Sequence, residues 1–144
     1  MSLEAAFYAY VTAQSSVTDL VGDRVYQDIM PQTETYPAIV YALISENRSE
    51  SGYSLTGANG QVESRLQVTC YSNVRPKVAR QLYDAVRMRL NGFKGLWNGT
   101  EIQSCFLDSA ESTVDQQPDN AQARIHGYRF DLLITHVESV PTFI

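Results

Sequence analysis

The sequence predicts an α+β domain, a mostly antiparallel β-sheet with helices packed on one face. Three observations predict it. Residues 62–72 and 123–137 alternate apolar and polar side chains, the period of a half-buried strand. Asn98-Gly99 joins FKGLW to TEIQSCFLD, and this dipeptide favours the tight turn of a hairpin. Between these signals, residues 76–90 place Val78, Leu82, Val86 and Leu90 at helical spacing. The order helix, helix, strands, helix, strands is that of an α+β domain with a mostly antiparallel sheet.

Ser2 caps a first helix over about residues 2–14, where Leu3, Phe7, Tyr10 and Val11 share a face and Glu4 meets the positive end of the helix dipole. Ser16 caps a shorter turn, 17–21, stopped by Gly22. A short strand over 24–30 follows, then a polar turn between Pro31 and Pro37. The run AIVYALI within 38–46 is apolar on both sides and predicts a strand central in its sheet. Residues 47–61, rich in Ser, Gly and Asn, form a loop longer than the usual ~4–6 residues. In the next strand Val62, Leu66, Val68 and Cys70 face one way and Glu63, Arg65, Gln67, Thr69 and Tyr71 the other. Pro76 opens the best-defined helix, and Asn91-Gly92 ends it. After the hairpin and the loop QQPDN, the last strand turns Tyr128, Phe130, Leu132 and Ile134 inward and Arg129, Asp131 and Thr135 outward.

A chain of 144 residues without an internal repeat reads as one domain, 1–144, able to bury about 68–70% of the surface its unfolded form exposes. Its 44% hydrophobic and 19% charged residues are those of a globular protein. The net charge of −5 opposes a protein that grips nucleic-acid phosphates. No apolar run reaches the ~18 residues of a membrane span, and Glu4 stands where a signal peptide carries positive charge. A soluble protein made in the cytoplasm is expected, with Cys70 and Cys105 as buried, reduced thiols.

Little in the sequence points to chemistry. His126 and His136 lie ten residues apart on one predicted strand, or ~33 Å at ~3.3 Å per residue, too far to share a metal. HExxH, GxSxG, CxxC, the P-loop and GxGxxG do not occur. Asp108, Glu111 and Asp115 allow a glycosidase-like carboxylate pair on paper, but they flank a predicted strand end and loop, where charged residues are hydrated. No catalytic residue, metal or cofactor is expected, although a small enzyme or ligand-binding module with a pocket beside the sheet stays open as an alternative.

Taken in order, MSLEAAFYAY, LVGDRVYQDIMP with PAIVY, LQVTCYSN, LYDAVRMRLNGFKG, IQSCFLD and HGYRFDLLITH resemble the tail-completion, or tail-terminator, family of long-tailed bacteriophages and prophages. The resemblance implies a structural virion protein, assembled in the host cytoplasm, that forms a ring, typically a hexamer, on the head-proximal end of the tail tube. The ring stops tube growth and offers the surface that joins the head. Its implied partners are copies of itself, the tail tube protein and the head-tail connector protein, with DNA passing through without specific binding. A neck adaptor that meets the head first is the nearest alternative. A ring needs two different patches per subunit. Arg65, Arg129 and Asp131 on the polar sheet face are one candidate; Arg48, Tyr53 and Leu55 in the long loop are another, with Tyr53 as an aromatic anchor ordered on binding or the loop simply flexible.

Overall fold

The computed structural model describes residues 2–29, 36–48, 60–73, 75–117 and 120–138. Helices α1 (Leu3–Thr12) and α2 (Ser15–Val21) lead into strands β1 (Val25–Gln27), β2 (Ala38–Arg48) and β3 (Gln61–Ser72). Helix α3 (Pro76–Leu90) then leads into β4 (Gly95–Trp97), β5 (Thr100–Gln117) and β6 (Asn120–Val137). The six strands form one sheet in the order β1-β2-β3-β6-β5-β4. Every neighbouring pair is antiparallel except β1 and β2, which run parallel.

The helix ends follow the predicted chemistry. Ser2 Oγ accepts from the Ala5 amide at the start of α1, and Pro76 opens α3, where its missing N–H costs nothing. Helix α2 begins one residue before Ser16, with Gln14 at the cap position making no side-chain bond there. The stretch after Gly22 carries the chain from the helices into the sheet, and Arg24 fastens that passage. Its Nε donates to the Pro37 carbonyl at 2.9 Å and its Nη2 to the Leu20 carbonyl at 3.5 Å, tying the end of α2 to the entry of β2. Asn98 and Gly99 both have positive φ, 47° and 92°, as the tight β4–β5 hairpin requires.

One face of the sheet carries the helices. Leu66, Val68 and Cys70 of β3, Phe130, Leu132 and Ile134 of β6, and Ile102 and Cys105 of β5 are buried there against Phe7, Val11, Val17, Leu82, Val86 and Leu90. Trp97 organises one end of this core: Phe7, Tyr10 and Phe93 stand around it with ring centroids 5.9, 5.4 and 5.8 Å away. Tyr10 also donates from its hydroxyl to the Arg89 carbonyl at 2.6 Å, joining α1 to the last turn of α3. Within the apolar layer sits one polar pair, Ser64 Oγ and His136 Nε2 at 2.9 Å, both buried.

Several expectations from the sequence change. Strand β2 is not central along its length: β1 covers Ile39–Tyr41 alone, and past Tyr41 no described strand lies on its outer side. Its apolar run reflects that short covered portion, and Ile44 beyond it is 53% exposed. Strand β1 is shorter than expected because Asp28 takes a positive φ of 67° and ends it. Strand β5 does not stop near Asp108 but continues to Gln117, so Asp108, Glu111 and Asp115 lie in the strand rather than beside it. Most of the predicted 47–61 loop, together with Pro31, lies outside the described residues.

Phe7 and Leu96 test this account of the core. Phe7→Ala is expected to cost about 3–5 kcal/mol in urea denaturation, whereas Leu96→Ala, at a site 65% exposed, changes stability by no more than about 0.5 kcal/mol.

Burial also raises both thiol pKa values, that of Cys105 to about 12 from an ordinary 9.0. The native chain therefore keeps protons that the unfolded chain releases above pH 9. This contribution to stability is intact below that value and declines as the pH rises towards 12. Urea midpoints followed from pH 7 to 11 should fall with it, and a thiol reagent at pH 8 should label neither cysteine until denaturant is added.

Candidate interaction surface

Strands β3 and β6 place Arg65, Arg129 and Asp131 together on the sheet face that the helices leave open. Alternation puts them there, because Leu66, Val68, Phe130 and Leu132 turn the other way into the core. Register then decides which charges meet. Arg65 Nη1 donates to Asp131 Oδ2 at 2.7 Å and to Asp108 Oδ2, on β5, at 3.0 Å. Arg129 lies directly across the β5–β6 ladder from Glu111 and donates to its Oε1. Its hydrogen bonds to Asp131 and then to Asp108 hold the Arg65 guanidinium above its ordinary pKa, and the bond to Glu111 does the same for Arg129. Both arginines thus have carboxylate partners within their own chain.

Asp108 and Glu111 are the partners of these arginines that the sequence reading missed. They looked like hydrated residues at a strand end and a loop because DSAES has no apolar alternation. The strand persists there because β6 pairs with it, matching Glu111 to Arg129 and Ser112 to Tyr128. A second omission was legible. Cys105 and Leu107 point towards the core, so Phe106 between them must point out, and it does, 55% exposed and directly opposite Leu133, itself 38% exposed. Beside this apolar pair lies an open hollow of about 320 Å³ lined by Ser45, Asn47, Glu63, Arg65, Phe106 and Leu133. Apolar side chains rimmed by polar and charged ones are the composition of a contact patch.

The other candidate patch is not brought into view. Arg48 closes β2, but its side chain lies outside the described residues, as do Tyr53 and Leu55. A second hollow, about 500 Å³, opens between the first turn of α3 and the far ends of β5 and β6, with Lys77, Arg80, Val114, His126 and Tyr128 on its walls. Arg80 is committed there: its Nη1 donates to the Tyr128 hydroxyl at 2.7 Å, and its guanidinium lies 5.1 and 5.2 Å from the Tyr128 and Tyr83 ring centroids. Among the described residues no group of three or more His, Cys, Asp or Glu is placed to hold a metal ion. Nor, among them, is any helix long and apolar enough to cross a membrane.

An ordered series of charge pairs around an exposed apolar pair has the composition of a contact surface. Residues 5–127 match the family described as tail completion protein gp17. The chain belongs to this family. It is a structural protein of a phage-type tail, a virion component that assembles with other tail and head proteins. A search of curated proteins finds no match. Among solved structures, a chain from the virion of a native gene transfer agent particle shares the fold, with a TM-score of 0.64 and 18% identity over 96% of both chains.

The two charge clusters of this tail completion protein differ in burial, and so in expected effect. Asp131 is 21% exposed and Glu111 59%, so Asp131→Asn is expected to lower the urea midpoint measurably and Glu111→Gln hardly at all.

Proposed function

We propose that the whole chain, 1–144, acts as one unit that forms a ring, a hexamer, on the head-proximal end of the tail tube. The ring stops tube polymerisation and presents the surface to which the head-tail connector joins. The family match over residues 5–127 carries this reading. The protein acts through shape and contact, without catalysis. Burial of both cysteines supports this, since the two thiols are withdrawn from solvent and held protonated.

In this proposal the open sheet face looks towards the bore. Its arginines, Arg65 and Arg129, are already matched by Asp108, Asp131 and Glu111, and Glu63 adds a further carboxylate. A surface of that balance repels phosphate, so duplex DNA passes without sticking. Of the sequence candidates, Arg65, Arg129 and Asp131 then line the bore, and the proposed partner contacts are Arg48, at the end of β2, with Tyr53 and Leu55 beyond it.

The test is electron microscopy of tail tubes that lack their own end cap, incubated with the purified protein. Rings at one tip and tubes of fixed length are expected. Unchecked elongation overturns the terminator reading, and binding to tailless heads but not to tubes replaces it with a neck adaptor. Tight, steeply salt-dependent binding of duplex DNA by the ring overturns the proposal for the bore.

A further inference from the structure

We propose that the hollow beside the first turn of α3 seats an acidic segment of another virion protein, one in which carboxylates flank an apolar side chain. The site lies on the helix side of the sheet, opposite the face assigned to the bore, and serves a ring or a single subunit alike.

The hollow opens where the helical cover of the sheet ends. Tyr128 and Phe130 of β6 lie under α3, with the Tyr83 ring centroid 4.6 and 5.3 Å from theirs. His126, two residues earlier on the same strand, keeps to that face by alternation, and Val114 of β5 pairs with it directly across the ladder. Helix α3 starts at Pro76, and between its first turn and these two residues the space of about 500 Å³ is left. Val114 is 56% exposed there, on the face where Phe130, Leu132 and Ile134 are buried. The volume falls within the ~300–1,000 Å³ of sites that take a small ligand or a few side chains. An apolar floor with a polar and charged rim suits an apolar side chain from a partner.

The walls select the partner's charge. Six of the chain's eleven Lys and Arg, but one of its sixteen Asp and Glu, fall within residues 75–94. That segment therefore carries +5, and the five Lys and Arg and fifteen Asp and Glu outside it leave −10 on the rest of the chain. Its one acid, Asp84, is already engaged by Arg80 and Arg87. Among the described residues, Lys77 and Arg80 are the Lys and Arg on the walls, and no carboxylate lies there. Arg80 spends Nη1 on the Tyr128 hydroxyl and Nε on Asp84, and its Nη2 has no partner among the described residues. Lys77 and the adjoining Arg75 are exposed, and neither side chain makes an ion pair or hydrogen bond among the described residues.

This is the reverse of the open sheet face, where Arg65 and Arg129 already hold carboxylates of their own chain. Unmatched cations gathered round an apolar hollow, on a chain that is acidic elsewhere, are complementary to carboxylates on either side of an apolar residue. Nucleic acid fits less well. The charge of −10 outside the segment repels phosphate, and a duplex backbone has nothing apolar to set against Val114. A second copy of this chain also fits less well, because its Asp108, Glu111 and Asp131 are held by its own arginines.

Carbodiimide cross-linking of intact virions tests the partner. The reagent joins an amine to a carboxylate in direct contact, and sequencing of the linked peptides names both. Lys77 joined to an Asp or Glu of another virion protein is the expected product. Lys77 joined to a second copy of this chain overturns the partner, and a digest in which Lys77 stays unlinked overturns the site.

Binding in solution tests the chemistry, with a short fluorescein-labelled peptide of Asp and Glu around a central Leu as the probe. Lys77→Glu should weaken its binding by at least about tenfold and Val114→Thr by at least about threefold. Lys94→Glu makes the same charge change beyond the other end of α3 and should cost less than about threefold. Both hollow positions are exposed, so neither variant should move the urea midpoint, and the comparison of Lys77 with Lys94 reads the site even if the Val114 variant folds poorly. Equal losses from the two lysine variants indicate diffuse attraction and overturn the docking site. Tighter binding of duplex DNA than of the peptide, lost in Lys77→Glu, overturns the acidic partner in favour of nucleic acid. Ring formation is read separately, at the tube tips.

Discussion

The antiparallel pairing of β3 with β6 is the constraint from which the rest of the molecule follows. It matches Gln61–Ser72 with 126–137 residue by residue, without a bulge, across the centre of the sheet. Because side chains alternate along both strands, this one register decides two surfaces at once. On one side it stacks Leu66, Val68, Phe130 and Leu132 under the helices. On the other it sets Arg65 beside Asp131 and brings both within reach of Asp108. Core and open face are therefore two sides of a single alignment, and neither can be altered by a shift that preserves the other.

The outer strands are less constrained, and their irregularity gives the surface its character. Strand β5 breaks register with β6 at three places, including between Leu107 and Ala110. Bulges of this kind bend a strand and re-aim its side chains. Here the bend lies next to Asp108, whose carboxylate reaches over β6 to Arg65 on β3. The cross-links on the open face are thus made by a strand that departs from ideal geometry, which stabilises the face without contributing to the core. A protein of this design keeps its charges satisfied before it meets any partner, so contact with a neighbour need not desolvate isolated ions.

Sequence patterning exposed the inner strands and the helices far better than the edges. Alternation in β3 and β6 and the four-residue spacing in α3 are imposed by burial, and burial leaves a mark in residue type. The Asn98-Gly99 turn was legible for a local reason, the positive φ of both residues. The distal half of β5 was not legible because it gains its strand geometry from β6 and Gly127 rather than from its own apolar residues. Gly127 is itself informative: a Cβ there would approach Thr113 Oγ1 to 2.5 Å, so only the smallest residue fits between β5 and the Tyr71 ring. Likewise the parallel β1 is three residues long and carries no period to read. At the candidate surface, alternation identified the face of Arg65, Arg129 and Asp131 but not their partners. Partnership depends on register across three strands, which no single stretch of sequence encodes.

The hydrogen bond between Ser64 and His136 adds something that apolar packing alone does not supply. Leucine, valine and isoleucine neighbours are nearly interchangeable, and two greasy strands can slide past one another by two residues at little loss. A hydroxyl and an imidazole sealed in that layer cannot, because each displaced polar atom is stranded in a medium with no water to replace the lost bond. The pair works as an alignment pin: it penalises the slipped sheets more than it strengthens the correct one, and leaves a single arrangement for the chain to find.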